Sequence, residues 1–125
     1  MQKTQKLITI KQSTSATQAP QAVDLVSSLP NKPTHQLWPV YENEELGCKA
    51  GVWESTAGSW EVVISGYTEF CVIKEGEVEV LENDGTQHFL KAGDSLVMED
   101  GFVGVWTVPT YARKYYYINQ TAVNV

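Results

Sequence analysis

From Cys48 onward the chain is cut every few residues by turn chemistry, and this rhythm limits the possible folds more than any other feature. The punctuating sequences are Ser55-Thr56-Ala57-Gly58, Ser65-Gly66, Glu75-Gly76, Asn83-Asp84-Gly85, Ala92-Gly93-Asp94 and Asp100-Gly101. Each carries a glycine, the residue that turns with positive φ favour. The runs between them are short and rich in β-branched and aromatic residues: Gly51–Glu54, Trp60–Ile64, Thr68–Lys74, Glu77–Glu82, Gln87–Lys91, Ser95–Glu99, Val103–Val108 and Tyr111–Ile118. The pattern predicts eight short strands with no room for crossover helices. Such strands must pair antiparallel, and a closed or doubled sheet removes their exposed edges. In Glu77–Glu82 the acids and the valines alternate, so this strand has one wet face and one dry face.

Residues 1–35 read differently. Gln, Ser, Thr and Lys dominate, prolines stand at Pro20, Pro30 and Pro33, and the one apolar patch is Leu7-Ile8-Thr9-Ile10. The division predicted is an extended N-terminal arm over 1–35 and a single all-β domain over 36–125. The arm needs a surface to lie on, for which a partner subunit is one candidate.

At 125 residues the chain is long enough for one self-supporting core. A net charge of −6 without a Lys/Arg block argues against nucleic acid and anionic membrane as partners. No apolar run reaches spanning length, and the first ten residues lack the apolar core of a secretory signal, so cytoplasmic residence is expected. Cys48 and Cys71 are then read as free thiols.

The stretch Tyr67-Thr68-Glu69-Phe70-Cys71-Val72-Ile73-Lys74-Glu75-Gly76-Glu77 is followed by Asp84-Gly85, Lys91-Ala92-Gly93-Asp94 and Asp100-Gly101-Phe102. In order and spacing it resembles the cupin superfamily. Gly51-Val52-Trp53-Glu54, Gly104-Val105-Trp106 and Arg113-Lys114 further resemble a small single-domain group that includes the ethanolamine-utilisation cupin and the ureidoglycine aminohydrolases. The resemblance spans about residues 36–120 and implies a jelly-roll β-barrel. Cupins of this size are commonly homodimers.

The family's motifs bring three histidines and a glutamate to a divalent metal inside the barrel. Here Glu69 and Gly76 match the end of the first motif, but Val62 to Gly66 hold no histidine, and Gly104 stands at the histidine of the second motif. One carboxylate cannot hold such an ion alone, so no metal cofactor is expected. His35 and His88 occupy no ligand position.

By the same resemblance Glu69, Cys71 and Ile73 face the barrel interior. Glu69 is the candidate catalytic acid/base, or a partner of Lys114 in a structural ion pair. Trp106 and Gly104 would also point inward, leaving space where an imidazole normally sits. Trp53 and Trp60 flank the Ser55–Ser59 loop as rim groups of a predicted barrel mouth. On the last strand Lys114, Tyr116 and Ile118 share one face; Arg113, Tyr115 and Tyr117 share the other. The candidate ligand-binding set is therefore Glu69, Cys71, Trp106, Lys114, Tyr116 and Trp53. Three functions follow from it: a metal-free binder of a small polar molecule, an enzyme acting on a small amine or nitrogenous acid, or a structural homodimer with a filled barrel. Cys71 lacks a nearby base in the sequence pattern and reads as an inert buried thiol.

Overall fold

The computed structural model describes residues 6–12, 14, 18–23, 25, 27 and 29–121. Part of the arm and the last four residues of the predicted domain lie outside these. The described elements are seven strands: β1 (Gln21–Val23), β2 (His35–Asn43), β3 (Cys48–Val63), β4 (Tyr67–Glu82), β5 (Gln87–Lys91), β6 (Ser95–Met98) and β7 (Val103–Gln120). All their pairings are antiparallel, in the order β1-β2-β3-β7-β4-β5, with β6 on the same edge of β4 as β5 but along its first residues, 69–72.

Three of the predicted breaks are not turns. Ser55–Gly58 lies inside β3, Glu75-Gly76 inside β4, and the gap before Tyr111 inside β7, so six of the expected short strands merge into three long ones. At these points the register slips, between Thr56 and Gly58 on β3 and at Ile73/Glu75 and Gly76/Glu79 on β4. A bulge bends a strand while keeping most of its ladder, so it produces a corner where a tight turn would produce a reversal. Gly76 makes the closest approach there: at φ 77° an added Cβ would stand 1.8 Å from the Tyr111 carbonyl oxygen.

The corners fold each long strand across two layers. One layer joins β2, residues 48–56 of β3, 111–119 of β7, 67–73 of β4, and β6. The other joins residues 58–63 of β3, 103–108 of β7, 79–82 of β4, and β5. Cys71, Ile73, Ala112 and Tyr116 from the first pack with Trp60, Val78, Val80, Trp106 and Val108 from the second in one core. This is a jelly-roll barrel.

Two strands escaped the pattern reading. β2 carries Pro39, and its pairing with β3 slips between Pro39 and Tyr41, a position where a strand tolerates a missing donor. Tyr41, Glu42 and Asn43 at the end of β2 still pair with β3 before the chain reverses. β1 pairs with β2 over three residues. The arm is fixed further by Trp38 Nε1 donating to the Gln18 carbonyl at 3.0 Å and an Arg113 guanidinium nitrogen donating to the Gln12 carbonyl at 2.9 Å. At Gln12, Gln18 and Gln21–Val23 the arm thus rests on the barrel of its own chain. No helix among the described residues is long and apolar enough to cross a membrane.

Candidate functional site

Strand register assembles the site. Lys114 on β7 lies between Trp53 on β3 and Ile73 on β4; two rows along, Tyr116 lies between Gly51 and Cys71. Glu69 occupies the next inward row, opposite Ile118 and Met98. The lysine stem spans these rows, and its Nζ donates to Glu69 Oε2 at 3.0 Å. Both side chains are about nine-tenths buried, at 8% and 11% exposure. Cys71 Sγ donates to the same oxygen at 3.2 Å.

The ammonium has two further neighbours. It sits 4.5 Å from the ring centroids of both Trp53 and Trp106, in cation–π contact with each. Trp60 completes a cluster with these indoles, at 5.7 Å from Trp53 and 5.8 Å from Trp106. A cavity of about 410 Å³ opens beside this cluster. Glu69, Lys114, Tyr116, Trp53, Trp60 and Trp106 line it, together with His35, Leu37 and Tyr67, while Val23 and Leu25 of the arm close one side.

Burial and neighbouring charge set the protonation states. Burial alone would lower the Lys114 amine, but the thiol of Cys71 and the carboxylate of Glu69 outweigh it and raise the amine above its ordinary value, so it stays charged. Burial pushes the Cys71 thiol up to about 12, which leaves essentially no thiolate at neutral pH. Burial also lifts the Tyr116 phenol to about 12. At pH 7 Lys114 is thus an ammonium while Cys71 and Tyr116 are neutral.

Five of the six sequence-predicted ligand residues line this cavity: Glu69, Trp106, Lys114, Tyr116 and Trp53. Cys71 lies in the wall behind Glu69, fully buried. Two expectations need correction. Trp53 and Trp60 are not rim groups of a loop, because Ser55–Ser59 is continuous strand and both indoles are buried inside at 7% and 5% exposure. Gly104 leaves no space either: an added Cβ would meet the Leu81 carbonyl oxygen at 2.5 Å and the Phe102 ring at 2.7 Å. The barrel closes over the missing imidazole's position, and Gly104 does not line the cavity.

His35 was missed. It stands in cavity-lining contact with Trp53 and Trp60, edge-on at centroid distances of 4.9 and 4.5 Å. Burial, with the Lys114 charge nearby, lowers its pKa to about 4, so it is neutral at physiological pH. His35 and Trp38 are both buried, so β2 carries no polar/apolar alternation that would have placed the histidine. His88, by contrast, is an exposed partner of Glu82 at 2.5 Å.

The donor set does not suit the usual cupin metal. Among the described residues no three His, Cys, Asp or Glu side chains converge on one point. The oxygen that Glu69 would offer already accepts from an ammonium and a thiol, and a dication placed there would meet the Lys114 charge.

A bent-strand jelly roll with its site inside the barrel defines the cupin class. Within it the chain belongs to the EutQ-like cupin domain family, whose model matches residues 43–116. Among solved structures it is similar to the Clostridium difficile EutQ protein, at 18% identity and TM-score 0.62, covering 70% of this chain and 64% of that one. The chain thus spans less than two thirds of that relative. It is similar as well to a protein described as ethanolamine utilization protein Q from Salmonella typhimurium, at 22% identity and TM-score 0.61, with 72% of each chain covered. A DUF861-family protein of unknown function from Pseudomonas syringae gives 22% identity and TM-score 0.69 over 91% of this chain and 45% of that one. These likenesses establish the fold. No curated protein matches the sequence.

Proposed function

We propose that this cupin binds a small molecule inside its barrel without the metal that such barrels commonly hold. The observation that carries the reading is the cavity of about 410 Å³ whose floor is the Glu69–Lys114 pair and whose walls are three tryptophans. Its volume falls in the range of small-ligand pockets, and aromatic walls with a few fixed polar groups are their usual lining. Metal coordination would require breaking the ion pair, and nothing in the donor set compensates for that.

An acid/base role for Glu69 has less support. Its Oε2 accepts from both Lys114 and Cys71, so proton transfer to a substrate would first have to free that oxygen. A nucleophilic role for Cys71 has none, given a thiol pushed up to about 12. The relatives named for ethanolamine utilisation suggest an amine ligand, but the cavity already contains an amine at its carboxylate. Residence in a reducing cytoplasm accords with two free, buried cysteines.

A homodimer is a second proposal, favoured by one observation. On the outer face of the first layer Phe70 pairs with Val97 on one side and Tyr117 on the other, and all three are exposed, at 42%, 62% and 41%. Sedimentation of the full chain and of Phe70→Glu tests it: a dimer that the substitution splits supports this face, and a wild-type monomer refutes it.

The ligand reading is tested by denaturing protein purified without dialysis and identifying released small molecules by mass spectrometry, alongside a search for quenchers of tryptophan fluorescence. A released or quenching compound whose effect is lost in Trp53→Ala supports it. Quenching that survives Trp53→Ala places binding elsewhere and contradicts it.

A further inference from the structure

The cavity's own residues restrict the charge of what can enter. Lys114 already occupies the positions a cationic ligand would seek, lying over a face of Trp53 and of Trp106 at 4.5 Å and bonded to the carboxylate of Glu69 at 3.0 Å. A second cation would find these faces taken and a like charge beside them. An anionic ligand is no better served: the ammonium is already neutralised, and Glu69 lies within hydrogen-bond distance of it. At the buried indole cluster either ion would lose its hydration without gaining a free counter-charge, which is the costly way to bury charge. Apart from two solvent-exposed residues, Lys49, which lies 3.9 Å from Glu42, and Glu61, the remaining lining is apolar or neutral, with Trp60, Leu37, Leu25, Tyr67 and Tyr116 prominent. His35 adds no charge, being an uncharged imidazole packed edge-on against two indoles.

We infer that the site takes an uncharged, ring-sized, largely apolar ligand, and that the Lys114 ammonium acts as a built-in occupant that shuts out amines. The inference rests on the small-molecule reading above and narrows it.

Three probes with the same ring and different charge test it: benzyl alcohol, benzylammonium and benzoate, each titrated at pH 7 into the full chain and followed by tryptophan fluorescence and by calorimetry. The expected result is that benzyl alcohol binds about tenfold or more tighter than either ion, the scale set by burying an unpaired charge. In the volume-matched double variant Glu69→Gln/Lys114→Met, which leaves no charge unpaired, no resident cation competes for the indoles, and benzylammonium should gain about tenfold over the wild type. Equal or tighter binding of either ion to the wild type overturns the charge selection while leaving the pocket reading intact. An unchanged benzylammonium affinity in the double variant also overturns it, because Lys114 would then not be what excludes the cation. If none of the three probes binds, the pocket reading itself fails and this inference falls with it.

Discussion

Lys114 and Arg113 are neighbours in sequence and do opposite things. Strand alternation turns Lys114 inward, where its partner Glu69 is as buried as it is and two indoles cover the ammonium. Arg113 turns outward, where its partner Glu75 is 47% exposed and its other contact is the Gln12 carbonyl of the arm. The inner pair fixes the floor of the cavity, whereas the outer pair pins the arm to the barrel. The difference teaches that burial of both partners, more than the count of ion pairs, decides what a pair is for.

Breaking the inner pair should have the largest effect. Lys114→Met strands a buried carboxylate and should cost about 3–5 kcal/mol in urea unfolding, whereas the double variant Glu69→Gln/Lys114→Met should lie within about 1 kcal/mol of the wild type. If the single and double variants lose the same amount, the pair is not coupled as described. Next in size is the pH dependence contributed by His35. The unfolded imidazole takes up a proton near 6.5, whereas the folded one does so only near 4. Between those values the unfolded state binds more protons, so stability falls as the pH is lowered through that window, by up to about 3 kcal/mol. The slope difference between the wild type and His35→Phe in urea titrations at pH 7 and pH 4.5 isolates this contribution.

The outer pair gives a smaller response. Arg113→Ala should cost about 1 kcal/mol globally, because solvent screens Glu75. Its main consequence should be earlier proteolytic cleavage in the arm, with the barrel left intact. Smallest of all is the chemical reactivity of Cys71. With its thiol pushed up to about 12, it should resist iodoacetamide at pH 8 in the folded protein and label only on unfolding.

The sequence made the barrel legible through turn glycines and alternation, and the inward row Glu69, Cys71, Ile73 followed from a period of two. It hid the corners, because a glycine such as Gly76 serves a bulge as well as a turn and only the partner strand distinguishes them. It hid His35 because β2 lacks a period of two: His35 and Trp38 are both buried although they lie on opposite parities. The space assigned to Gly104 was wrong because a missing side chain creates room only if neighbours do not close over it, and Leu81 and Phe102 do. Pairing of Lys114 with Glu69 could be named from charge and parity, but the indole contacts depend on corners that bring the second layer across the first.

On the proposed function a self-neutralised ion pair, and not a metal, forms the floor of this barrel. Elemental analysis of protein purified without chelator, then loaded with zinc and dialysed, tests it most directly. The account predicts substoichiometric metal before and after loading. One tightly held ion per chain, lost in Glu69→Gln, would contradict it.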